Sequence, residues 1–244
     1  MQLNLDKIKL PKRIEPCPIL EAIVELRFTS SFPHDAIFGI IYKEFKDVYP
    51  HVEALPILQL PEIVREKDPT LLYKPYYKLT KNDGFLFQVG ARVISLIRLA
   101  PYSGWSEFSI RFKEILDKVE ELGIVKSFTR IGIRYINSFK FNIFDKVNIS
   151  LSIKEQSLGS FDTFIRSDIV TGGKFISTLQ IANNAKIEKS GEIIECSIID
   201  IDTFIDNPKG DIWELIEEGH IEEKKLFFFL LKKDFLEKEL NPTY

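Results

Sequence analysis

At 244 residues, with 45% hydrophobic and 28% charged side chains, the chain is long enough to bury a core without a metal or a disulfide. A formal charge of -3 argues against a protein held to nucleic acid by bulk positive charge. Cys17 and Cys196 are too few and too far apart for a disulfide framework, and they read as free thiols in a reducing compartment.

The charge is uneven along the chain. Residues 1–140 hold 21 basic against 17 acidic side chains, and residues 141–244 hold 12 against 19. No charged segment followed by an apolar one opens the chain, so no secretory signal is expected and a cytoplasmic location is. The longest apolar run, Leu226 to Leu231, falls far short of the ~20 residues of a spanning helix, so no membrane partner is expected.

Residues 1–18 carry Pro11, Pro16 and Pro18 and read as an extended arm. In residues 19–28, Leu20, Ala22, Val24, Leu26 and Phe28 alternate with Glu21, Glu25 and Arg27, the pattern of a half-buried strand. Residues 33–48 place Ile37, Ile40, Ile41, Phe45 and Val48 at helical spacing, with Pro33 in the first turn and Pro50 as the stop. Residues 51–70 read as irregular. Strands are expected over 72–80 and 85–89, joined by Asn82-Asp83-Gly84, and then over 92–99. The stripe Trp105, Phe108, Phe112, Ile115, Leu116, Val119 and Leu122 predicts a helix with Ser103 as N-cap and Gly123 as stop.

The second half repeats this order. Residues 130–139 alternate as a strand, residues 140–160 read as irregular, and strands are expected over 161–170, 174–181 and 193–201. A helical segment over 211–239 follows. The predicted fold is therefore α+β, as two related halves. Each half is a strand, a connection, three antiparallel strands and a helix, with helices packed on one face of the sheets. The expected organisation is an arm (1–18), a first half (19–123) and a second half (124–244) packed as one unit.

PILEAIVELRF (18–28), YSGWSEF (102–108), RIGIRYINSF (130–139) and IDID (199–202) occur in this order. Together they resemble a sporadically distributed family of uncharacterised microbial proteins, most specifically in the strand Arg134 to Asn137. That family brings no assigned activity, cofactor or ligand, so the resemblance implies none here.

The chemistry-bearing residues are sparse. His34, His51 and His220 lie far from one another and from cysteine, which argues against zinc. Asp200 and Asp202 share one side of a strand and are the weak metal candidates. They could hold Mg²⁺ against a phosphate, or end the strand and answer arginines across the sheet. No nucleophile elbow or phosphate loop is present.

The arginines are the most informative polar set. Arg27, Arg130 and Arg134 occupy the polar parity of their strands, and Arg92 and Arg98 share a parity on theirs. They form either a salt-bridge ladder with Glu21 and Glu25 or an anion site. The aromatics Phe28, Tyr135 and Phe139 fall on the apolar parity, which disfavours stacking on nucleic acid. Phe227, Phe228 and Phe229 mark either a core helix or a subunit interface. These observations predict a self-associating, non-enzymatic binding module, a homo-oligomer with no cofactor that takes an anionic ligand. The second reading is an enzyme or sensor for a phosphorylated small molecule, using the arginines with Asp200 and Asp202.

Overall fold

The alternation of residues 19–28 forms strand β1 (Ile19–Thr29), with Ala22, Val24, Leu26 and Phe28 fully buried. The structure is a computed structural model that describes residues 3, 5, 8–189 and 191–244. Helix α1 (His34–Phe45) follows, then β2 (His51–Ala54), a short 3-10 turn over Pro56–Gln59 and helix α2 (Glu62–Lys67). The 51–70 segment is thus ordered, against the irregular reading. Prolines mark its element starts, with Pro56 opening the 3-10 turn and Pro61 capping α2.

Strand β3 is shorter than predicted (Tyr77–Thr80), because residues 71–74 turn before it. It pairs with β4 (Phe85–Val89), which pairs with β5 (Val93–Leu99). Asn82 (φ 62°) and Gly84 (φ 83°) take the left-handed conformations of the tight turn. Helix α3 spans Trp105–Glu121. Its N-cap is Gly104 at φ 108° rather than Ser103, and Gly123 ends it at φ 64°.

Strand β6 (Ser127–Phe139) carries the second alternating pattern. The two-residue strands β7 (Ser152–Ile153) and β8 (Gln156–Ser157) form a small separate ribbon. Strands β9 (Phe164–Thr171), β10 (Phe175–Lys189) and β11 (Glu192–Asp206) form an antiparallel run. The last two are longer than predicted. Strand β10 runs on past residue 181 because Asn183 and Asn184 are absorbed in a register shift between Ala182 and Ala185.

The predicted C-terminal helix is two helices, α4 (Ile212–Leu230) and α5 (Lys233–Glu239). Leu231 leaves the helix to bridge Val147, and the Lys232 amide bonds the Lys146 carbonyl, so β-type pairing breaks an otherwise continuous apolar pattern. Among the described residues no helix is long and apolar enough to cross a membrane.

The fold is α+β. Among the described residues the large sheet has nine strands, in the order β2-β3-β4-β5-β1-β6-β11-β10-β9. The chain divides into two compact units. One comprises Met1–Glu21, Ile133–Phe204 and Glu217–Tyr244, and the other Ala22–Gly132 and Ile205–Ile216.

In the second of these, α1 and α3 cover the β4 face that carries Phe85 and Phe87. The Phe45 ring packs tilted 5.0 Å from Phe87, and Phe108 lies 6.1 Å from Phe85. Burying each such ring contributes about 1.5–3 kcal/mol.

In the first, Leu179, Ile181, Ile199 and Ile201 of the sheet pack with Leu226, Phe227, Phe228 and Phe235 of the C-terminal helices. The N-terminal arm lies against this core. Leu5 and Ile14 are buried in it, and the Lys12 and Glu15 amides bond the Thr243 and Leu240 carbonyls. Residues 1, 2, 4, 6 and 7 of the predicted arm lie outside the described residues.

Candidate functional site

Alternation on β1 puts Glu25 and Arg27 on the face opposite the helices, since Val24, Leu26 and Phe28 are buried under them. Arg27 Nε donates to Glu25 Oε1 at 2.7 Å, and the guanidinium lies 4.9 Å above the Tyr73 ring. The segment before β3 closes over this position. Pro69, Thr70, Tyr73, Lys74 and Pro75 join Glu25 and Arg27 around a cleft of about 200 Å³. Among the described residues the two terminal amino groups of Arg27, and the Lys74 ammonium, bond no protein group. A planar fork held on an aromatic ring, with a second cation beside it, suits a carboxylate or phosphate.

The other predicted arginines are engaged. Arg130 lies 3.4 Å from Glu25 Oε1 and 3.9 Å from Asp206 Oδ1, so Glu25 answers two arginines of its unit. Arg92 donates to the Ala91 and Phe32 carbonyls, and partial burial lowers its pKa.

Arg98 is a correction. The register pairs it with Phe85, on the helix-facing side of the sheet and so across the sheet from Arg27. There it donates to the Asp83 carbonyl at 2.7 Å and lies 4.9 Å from the Phe85 ring. A Cβ on Gly84 would collide with it, so Arg98 locks the β3–β4 turn rather than awaiting a ligand.

In the other unit Arg134 grips Asp200 through both arms, Nε to Oδ1 at 2.7 Å and Nη2 to Oδ2 at 2.6 Å, and Gln180 adds a bond to Oδ2 at 3.2 Å. That partner holds the Arg134 pKa above its ordinary value. Both Asp200 oxygens are therefore occupied. Among the described residues no group of three His, Cys, Asp or Glu side chains is placed to hold a metal. Phe227 and Phe228 are buried in their own unit's core, and Phe229 is 39% exposed. Of the three phenylalanines predicted as an interface, only Phe229 is exposed.

A second hollow, beside Lys140, Asn142, Asn183 and Cys196, is a scaffold. Its asparagines donate to the Gly159 and Phe161 carbonyls and tie the chain ahead of β9 to β10.

Sequence reasoning missed two features. Tyr73, which presents Arg27, falls in the predicted strand over 72–80, but residues 71–74 form a turn and the strand begins only at Tyr77. Under α4, Tyr135 Oη lies 3.1 Å from His220 Nδ1, and Glu223 is buried with Oε1 unbonded among the described residues. Burial first, and Lys224 second, draw the His220 pKa down to about 3, and burial raises the Glu223 carboxyl well above its usual range. The His-x-x-Glu spacing on one helix face was the available signal. The chain matches no family model and no curated protein.

Proposed function

We propose that this protein is a non-enzymatic binding module that self-associates and takes an anionic small molecule in the Arg27 cleft. Arg27 carries the reading. Its guanidinium is oriented by Glu25 and Tyr73, and Arg27 lines a cleft that also holds Lys74. A preset fork loses little entropy on gripping an oxyanion, which favours binding. The same cleft would serve a sensor of a phosphorylated small molecule. The hydrolytic version of that reading needs Asp200, whose oxygens are held by Arg134 and Gln180. The matching element order of the two halves supports an internal repeat.

The test is calorimetric titration with inorganic phosphate, citrate and nucleotides. At least one should bind, and Arg27→Ala should weaken it about ten- to a hundredfold, the worth of charged hydrogen bonds. Lys74→Ala should weaken it less. The melting temperature of either variant should stay close to wild type, because an Arg–Glu pair that water still reaches, 32% and 25% exposed, contributes about 1 kcal/mol. No binding to any of these anions, or binding that Arg27→Ala leaves unchanged, would remove the cleft from the proposal.

A further inference from the structure

The outer strand β9 is the end of the nine-stranded sheet. Its phase is fixed by β10. Cα partners run from Phe164↔Ala182 to Thr171↔Phe175, and the Asn183 amide donates to the Thr163 carbonyl. In an antiparallel ladder the bonded pairs alternate. Odd-numbered residues of β9 therefore turn their backbone groups toward β10. Phe164, Arg166, Asp168 and Val170 turn theirs outward, where no described backbone group meets them.

The side chains of β9 read the same from either direction about Ser167. Arg166 is balanced by Asp168, Ile165 by Ile169, and Phe164 by Val170. Phe164 is 63% and Val170 47% exposed, unusually open for apolar residues on a strand. Ile165 and Ile169 are only partly buried against the helix-side core.

We infer that β9 is a homodimer interface, in which two copies pair antiparallel through this edge about a two-fold axis at Ser167. This rests on the proposed self-association and says where it occurs. In this register every outward backbone group meets an outward partner. Arg166 faces Asp168 of the second copy twice over, once on each side of the axis. Phe164 meets Val170 on the open face and Ile165 meets Ile169 on the helix face, so both half-covered apolar pairs gain cover.

The nearest slips that keep the backbone phase set Arg166 against Arg166 or Asp168 against Asp168, and longer ones place neither charge opposite its complement and shorten the ladder. Charge therefore selects the two-fold at Ser167. Within one chain Arg166 and Asp168 are 3.5 Å apart and more than half exposed. Thr178 donates to Asp168 Oδ1 at 2.7 Å and holds the carboxylate on the strand while its other oxygen can take a second arginine. The opposite edge strand, β2, has only four residues and makes a poor template for pairing.

The experiment is sedimentation velocity on the full chain across the micromolar range. Wild type should sediment as a dimer. Arg166→Asp and Asp168→Arg each place like charges opposite one another and should raise the dimer dissociation constant about tenfold or more. Mixing these two variants puts opposite charges back in register and should restore a dimer, as should the double swap in one chain. Melting curves should show each variant folded. In a Cys17→Ser background, Ser167→Cys should oxidise to a covalent dimer, because facing residues at such a site lie about 4.5 Å apart. A wild-type dimer indifferent to both reversals would overturn this interface and leave self-association standing. A wild-type monomer would overturn both.

Discussion

Replacing Arg134 by Ala should destabilise the protein by about 2–3 kcal/mol, and more than replacing Asp200 by Asn. The asymmetry follows from burial. The Asp200 side chain is 10% exposed and that of Arg134 is 40%. Removing the arginine leaves a carboxylate held away from water with Gln180 as its one remaining side-chain hydrogen-bond partner among the described residues. Removing the charge of Asp200 leaves a guanidinium that water can solvate. A fully exposed pair would contribute about 1 kcal/mol or less, and a fully buried one broken on one side costs about 3–5, so this half-buried pair falls between. For a chain of this size the expected fall in melting temperature is about 5–10 °C. Thermal and urea denaturation of both variants and the double variant checks it, through the coupling of the cycle. Equal, small losses from both substitutions would show that the pair contributes no more than a surface contact.

That pair also shows where the sequence was legible. Alternation on residues 130–139 placed Arg134 on the polar parity, and the Asp-Ile-Asp run placed Asp200 on its own strand's polar parity. The two parities meet in one ion pair, so the salt-bridge alternative written from sequence describes Arg134. Arg98 shows the limit. Parity within one strand says which residues share a face but not which face the helices cover, and only the pairing with Phe85 settled that. Strand and helix cores with clean periodicity, such as Val24 to Phe28 and Phe108 to Val119, were readable because one period dominates. The ordered 51–70 segment was not, because its elements are each six residues or fewer and two of the three are opened by prolines, Pro56 and Pro61. The Phe-rich run from Phe227 could not be divided between core and interface from its own composition. Two of its rings are buried in the core and the third is 39% exposed, a matter of helix phase against a particular partner. The self-matching order of β9 stood in the sequence throughout, but it acquires meaning only once that strand is known to be an edge.

The stability contributed by His220 should be lost steeply from pH 6.5 to pH 4. Burial, with Lys224 nearby, takes the folded-state pKa of His220 down to about 3 from 6.5. The unfolded chain therefore binds a proton on this ring below pH 6.5 while the folded chain does not, and stability is lost as pH falls through that window. At pH 4 the loss is on the order of 3 kcal/mol. His220→Phe should flatten that acid limb, at the cost of the Tyr135 contact.

Glu223 acts with the opposite sign. Its folded pKa is raised by burial, with Asp200 adding to the rise and Lys224 opposing it. The folded state therefore holds the proton more tightly than the unfolded one. The stability belonging to the protonated carboxyl is complete below about pH 4.5 and declines as pH climbs above it. Glu223→Gln keeps the shape and removes the ionisation. It should stabilise the protein at pH 7 and lose that advantage as pH falls toward 4.5. Around these residues the charged groups on α4 are Glu222, paired with Lys225, and Lys224, whose own pKa burial lowers. Urea denaturation of wild type and both variants at pH 4, 5.5 and 7 separates the contributions. The His220 variant should diverge from wild type on the acid side and the Glu223 variant on the neutral side. Three parallel profiles would mean that water reaches both groups and that neither titrates differently in the folded chain.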